Sequence, residues 1–258
     1  MATICKTEAI VLKGMRFRES SRIVSLYTRN FGKIKVVAKG VRRPRSKFGS
    51  ALEPFTISNI VFYRQERRDL YTISEADIVK EHALLREDLG RISTASVIID
   101  FLDAANPEES KNLRLYAFAA SMLDALEEFP YRLLDMALWM FLVRAAGILG
   151  YGPVLEHCVE CKGDKPKVGF SPSLGGAVCS DCSRGKADVW RISQSSLNLL
   201  KRLAVEGEKD LAREEPSAGQ VEEITETLRA HLLYHTERRM RSFDFRKSLE
   251  SEDCLHDC

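Results

Sequence analysis

With 258 residues, 45% of them hydrophobic and 29% charged, the chain has the composition of a soluble globular protein large enough for two or three modest domains. Its start lacks the basic residues and long apolar run of a secretory leader, and its most apolar stretch, Met136–Val143, is too short to span a bilayer. Seven cysteines, four of them in two Cys-x-x-Cys pairs, suit a reducing intracellular compartment better than a secreted disulfide frame. The net charge of +2 hides an asymmetry: Met1–Arg68 carries 16 Lys and Arg against 4 Asp and Glu, and the remainder carries 23 against 33. Such a division points to a nucleic-acid-binding N-terminal part joined to a mildly acidic body, or to a basic domain held against an acidic one.

The first eighty residues read as short strands at Ala9–Leu12, Ile23–Thr28, Lys33–Val41, Phe55–Tyr63 and Leu70–Ile78, rich in Val, Ile, Thr and aromatics. Five strands without a long helix among them suggest a small barrel, either of the oligonucleotide-binding (OB) kind or SH3-like. Alternation in the third strand sends Ile34, Val36 and Ala38 inward and places Lys33, Lys35 and Lys39 together on the outer face. With Arg42, Arg43, Arg45 and Lys47, they make seven positive charges and no negative one from Lys33 to Lys47. No carboxylate in the stretch neutralises them, whereas phosphates would, with release of counterions. These seven are the candidate DNA-binding residues. Phe17, Tyr27, Phe31 and Phe48 lie close by in sequence, as platforms for base stacking or as ordinary core.

From Val79 the pattern becomes helical. Helices are expected over Lys80–Ala105, Leu113–Phe129 and Tyr131–Leu149, the last apolar nearly all round and therefore central to a bundle. Ser193 reads as the cap of a helix over Leu197–Val205, and Ser217 with Gln220 as a capping box for a long helix through His235. Its terminal arginines, Arg238, Arg239 and Arg241, complement a helix dipole or offer a second phosphate contact. His231 and His235 lack the glutamate of a zinc-hydrolase motif and read as surface or packing residues. The ending, with Cys254 and Cys258, reads as a disordered tail.

Between the helical stretches, Cys158-Val-Glu-Cys161 and Cys179-Ser-Asp-Cys182 have the spacing of a four-thiolate zinc site. Each two-residue gap lets a tight turn aim both sulfurs at one ion. Four sulfurs leave a divalent ion no open position for water and a formal charge of −2, which speaks for a structural rather than catalytic or phosphate-reading role. One structural zinc per chain is expected. Gly147-x-x-Gly150-x-Gly152 has the wrong spacing for a dinucleotide loop, and neither a Gly-rich phosphate loop nor a nucleophile elbow occurs. The chain therefore reads as a non-catalytic DNA binder. A basic-arm adaptor for an acidic protein and a metal-dependent DNA-processing enzyme are the alternatives.

The sequence resembles the RecO family of bacterial recombination mediators. The likeness runs through Glu19–Arg22, Leu26–Thr28, Gly32–Gly40 with Arg42, Arg43 and Ser46, and Leu52-Glu-Pro-Phe55. It resumes at Gly147–Tyr151, Cys158, Cys161, Gly169–Pro172, Gly175, Gly176, Cys179 and Cys182. The resemblance implies a multidomain β + α chain, with an N-terminal OB-fold barrel over residues 1–79 and an all-α helical domain over 80–152 and 190–247. A four-cysteine zinc knuckle over 153–189 would be inserted in the helical domain; the stretch 248–258 is the tail read above from the sequence itself as disordered. It also implies binding of single- and double-stranded DNA, annealing of complementary strands, and help to RecA in displacing single-strand-binding protein (SSB). The implied partners are RecR and the SSB C-terminal tail, in the cytoplasm at the nucleoid. The family's basic positions fall on Lys33, Lys35, Lys39, Arg42 and Arg43; Arg45 and Lys47 rest on charge alone.

Overall fold

The structure, a computed structural model, describes residues 2–43, 46–65, 68–207 and 214–256. It forms two compact units, Met1–Glu128 and Phe129–Cys258.

The first unit is built on five strands: β1 (Ala2–Phe17), β2 (Ser21–Thr28), β3 (Gly32–Ala38), β4 (Ile57–Gln65) and β5 (Leu70–Lys80). They close in the order β1-β2-β3-β5-β4, with β1 pairing β4 and β3 running parallel to β5. This is the OB-like barrel. The first strand is far longer than the expected Ala9–Leu12 because it serves two neighbours. Ala2–Ile10 pair with β4, Ala9–Phe17 pair with β2, and an irregularity between Val11 and Lys13 lets the strand turn the corner. Val24, Leu26, Ile34, Val36, Ala38, Ile60 and Phe62 fill the interior. At Gly32 the backbone takes φ +67°, and a Cβ would stand 2.3 Å from the Ser110 carbonyl oxygen, so only glycine fits.

Three helices belong to this unit: α1 (Leu84–Glu87), α2 (Leu89–Ala105) and α3 (Leu113–Leu126). Asp88 caps α2 by accepting from the Arg91 amide, and Asn112 caps α3 by accepting from Leu115. The Tyr116 hydroxyl donates to Glu8 at 3.1 Å, and Tyr27 reaches Asn106 at 3.4 Å. The compact units thus divide the helical stretch drawn from sequence over 80–152 and 190–247. Residues up to Glu128 fold with the barrel because their polar and apolar partners lie on it.

The second unit centres on α4 (Leu134–Ile148), which follows a short 3-10 turn and is buried on nearly every side. Around it lie α5 (Gln194–Val205) and α6 (Ala218–Thr236), with α7 (Ser242–His256) following. Trp139 donates from Nε1 to Thr225 at 3.0 Å, and Arg144 donates to the Leu203 carbonyl at 2.9 Å. Ser193 caps α5, and Ser217 with Gln220 forms the reciprocal capping box of α6. The helix α7 runs on through residues 248–256. Between α4 and α5 stands a small sheet of β6 (Lys167–Ser171), β7 (Gly176–Cys179) and β8 (Trp190–Arg191), in the order β7-β6-β8. Among the described residues, no helix is long and apolar enough to cross a membrane.

Candidate nucleic-acid interface and metal centre

The cations of β3 and the following loop do not share one environment. Lys33 is buried at 5% exposure, donates to the Asp103 carbonyl at 2.5 Å, and has its ammonium 3.8 Å from the Asp103 carboxylate. Lys13 approaches the same carboxylate at 2.6 Å. A buried ammonium requires such partners, and Lys33 is therefore not the surface cation its alternation suggested. Lys35, half-exposed, pairs with Glu108. Glu109 next to it binds the Arg64 guanidinium at 2.6 Å and accepts from the Tyr71 hydroxyl. The α2–α3 connection lies against β3, with the Glu109 amide donating to the Lys33 carbonyl at 2.9 Å.

Beyond Lys35 the picture changes. Lys39, Arg42, Arg43 and Lys47 are exposed, and none has a carboxylate partner among the described residues. Arg42 instead donates to the Glu19 carbonyl at 2.9 Å, and its amide donates to the Ser20 carbonyl at 3.2 Å. These bonds fasten the loop beside the β1–β2 turn. Arg45 lies outside the described residues. Of the nearby aromatics, Tyr27 and Phe48 are core and Phe31 packs on it at the edge, while Phe17 is half-buried on the strand surface. Lys47 lies 5.2 Å from the Phe48 ring centre.

The second cluster is compact. Sulfurs of Cys158, Cys161, Cys179 and Cys182 all lie within 4.8 Å of one another. Cys161 and Cys179 stand 3.8 Å apart. Four thiolates about 2.3 Å from a tetrahedral ion would be separated by about 3.8 Å, so the donor set fits a metal ion. Cys179 ends β7, and the Cys179 amide donates to the Cys158 sulfur at 3.4 Å. The Val159 amide donates to Ala177 at 2.9 Å, tying the first knuckle to the strand that carries the second. The left-handed residue of the first turn is Lys162 (φ 60°), and in the second it is Gly185 (φ 74°). Burial acts to raise the Cys158 thiol, but the amides of Cys161, Cys179 and Glu160 prevail and lower it to about 6. The Cys182 thiol is pushed up by its hydrogen bond to Cys179. Lys165 and Lys186 pair with Asp181 and Glu160 beside the cluster, which leaves its charge balance local.

The remaining candidates are structural. His231 is fully buried; its Nε2 donates to the Tyr151 carbonyl at 2.7 Å, and its Nδ1 has no partner among the described residues. His235 stacks on the Tyr151 ring at 5.0 Å. In the arginine group after α6, Arg239 pairs with Asp244 at 2.8 Å; on α7, Arg246 pairs with Asp135 at 2.6 Å and Lys247 with Glu226 at 3.2 Å. Acidic neighbours already hold much of this second cluster. Sequence reasoning missed Asp103, Glu108 and Glu109, which decide what Lys33 and Lys35 can do. No local pattern marks them: Asp103 and Glu108 stand 70 and 73 residues from Lys33 and Lys35, and Glu109 stands 45 from Arg64 and 38 from Tyr71.

A closed OB-like barrel with a basic loop, followed by a helical unit carrying a four-cysteine knuckle, defines a class of nucleic-acid-handling proteins. The family model described as Recombination protein O N terminal matches residues 1–82, and that for Recombination protein O C terminal matches residues 86–244. The "DNA repair protein RecO" of Thermoanaerobacter sp. is 32% identical over 251 residues, covering 96% of this chain and 99% of the relative. That of Pelotomaculum thermopropionicum is 34% identical over 241 residues, covering 93% and 92%. That of Rubrobacter xylanophilus is 34% identical over 235 residues, covering 89% and 91%. The chain belongs to the RecO family.

Proposed function

We propose that this protein is a non-catalytic mediator of recombinational DNA repair that binds single- and double-stranded DNA through the end of β3 and the loop after it. The observation that carries the reading is the group Lys39, Arg42, Arg43 and Lys47, exposed on a barrel rim with no carboxylate partner among the described residues. Phosphates are the ligands such a group takes, and binding of this kind is strongly salt-dependent and indifferent to base sequence. Lys35 joins it once Glu108 is displaced. Family membership and the names of the relatives support the repair context.

In that context the protein anneals complementary strands and, with RecR, helps RecA replace SSB, whose C-terminal tail it engages. The cysteine cluster holds one zinc ion with a structural role, because four thiolates complete its tetrahedron and leave no site for substrate. Strand annealing on SSB-coated DNA tests the functional reading. The wild-type chain should accelerate annealing, and Lys39→Ala/Arg42→Ala/Arg43→Ala should lose most of that acceleration. Equal acceleration by a folded triple variant would move the DNA site elsewhere.

A further inference from the structure

The outward face of the β1–β2–β3 sheet is divided in two. Strand registers arrange its side chains in rows: Ile10–Tyr27–Lys33, then Lys13–Ser25–Lys35, then Met15–Ile23–Val37, then Phe17–Ser21 with Lys39 just past the last pair. The first two rows are covered. Asp103 of α2 takes Lys13 and Lys33, Asn106 meets Tyr27, and Glu108 takes Lys35. The last two rows have no such cover over their apolar members, although Ser21 itself is buried. Met15 is 60% exposed, and Ile23, Val37 and Phe17 are each only half-buried.

A contiguous group of four apolar side chains at the surface calls for an occupant. Its surroundings indicate which. Lys39 closes one end, and the Arg18 guanidinium lies 5.3 Å from the Phe17 ring centre. Arg42 is fastened to the β1–β2 turn by the two bonds to Glu19 and Ser20, which brings the basic loop beside Phe17. The side chains of Met15, Phe17, Ile23 and Val37 offer no hydrogen-bond donor, and Ser21 beside Phe17 is buried. It suits the flat, apolar face of an unpaired base, with cations at its border for the phosphates on either side. A duplex keeps its base faces stacked inside and shows mainly phosphate, so it gains nothing from such a strip.

We propose that Met15, Phe17, Ile23 and Val37 form a seat for the bases of single-stranded nucleic acid. This inference rests on the reading of the barrel as a DNA-binding domain and deepens it: the basic loop grips either form of DNA, and the strip adds affinity for the single strand alone.

The test uses the full chain with three probes of equal length: oligo(dT), an abasic strand and a duplex. Met15→Ala/Phe17→Ala should bind oligo(dT) about tenfold more weakly, the loss of roughly one stacked base, and bind the abasic strand and the duplex as the wild type does. Lys39→Ala/Arg42→Ala should weaken all three. If the apolar variant binds oligo(dT) normally while the charge variant is impaired, the strip is overturned and the DNA-binding reading stands. Normal binding by both variants removes that reading as well. Equal weakening of all three probes by the apolar variant contradicts a base seat. Should the double substitution disturb folding, Met15→Trp supplies a second arm at an exposed position. It should tighten oligo(dT) binding with quenching of the added fluorescence, and unchanged affinity with no quenching overturns the inference.

Discussion

The cysteine knuckle and the basic edge of the barrel handle charge in opposite ways. In the knuckle, four ionisable thiols converge within 4.8 Å of one another, an arrangement that like charges tolerate only around a cation. Along β3 and its loop the positive charges are dealt with one at a time. Lys33 is buried against Asp103, Lys35 meets Glu108, and Lys39, Arg42, Arg43 and Lys47 are left exposed. The lesson is that a run of like charge is not one site. The fold neutralises part of it from distant segments, and only the remainder is offered to a ligand.

Four experiments would break or sharpen that contrast. Removal of the metal should have the largest effect. Chelation, or Cys158→Ser, should unfold the knuckle and lower the melting temperature through loss of several kcal/mol of metal-linked stability. DNA affinity below melting should stay within about twofold. A folded Cys158→Ser protein that no longer binds DNA would erase the division of labour. Next is Asp103→Ala, which leaves Lys33 buried without its carboxylate. Chemical denaturation should register a loss of about 3–5 kcal/mol, whereas Lys39→Ala at the exposed end should cost almost nothing.

Acid should act on the second unit through His231. Burial lowers this histidine to about 4, against 6.5 for the free side chain. The unfolded chain then binds the proton first, so the contribution is complete above about pH 6.5 and is lost as pH falls toward 4, by up to about 3 kcal/mol. His235, also lowered by burial, acts in the same direction. Denaturation followed from pH 7 to 4 should show this slope in the wild type and a flatter one in His231→Leu. A slope of opposite sign would contradict the burial. The smallest effect is expected from Glu108→Gln. Freeing the half-exposed Lys35 from a surface ion pair worth at most about 1 kcal/mol should raise DNA affinity severalfold at low salt, as read by fluorescence anisotropy.

Local physics was legible in the sequence, and distant partnerships were not. The Cys-x-x-Cys spacings led directly to a four-sulfur cluster, because each pair depends on one tight turn. Alternation in β3 correctly sent Ile34, Val36 and Ala38 inward, and Ser217 with Gln220 did form the capping box. The same alternation could not show that Lys33 points outward from the barrel yet lies under Asp103, since α2 supplies the cover. At Gly32 the Ser110 carbonyl that excludes any side chain comes from 78 residues further on, and nothing local announces it. Residues 248–256 lack apolar periodicity, yet they extend a helix already begun at Ser242.

The central claim is that DNA is held by the part of the basic run that the fold leaves unpaired. Its most direct test is the salt dependence of binding to a single strand by the wild type and by Lys39→Ala/Arg42→Ala/Arg43→Ala. Loss of three phosphate contacts should make the slope of log affinity against log salt shallower by about 2, with affinity reduced for every sequence alike. An unchanged slope in a folded triple variant would contradict the account.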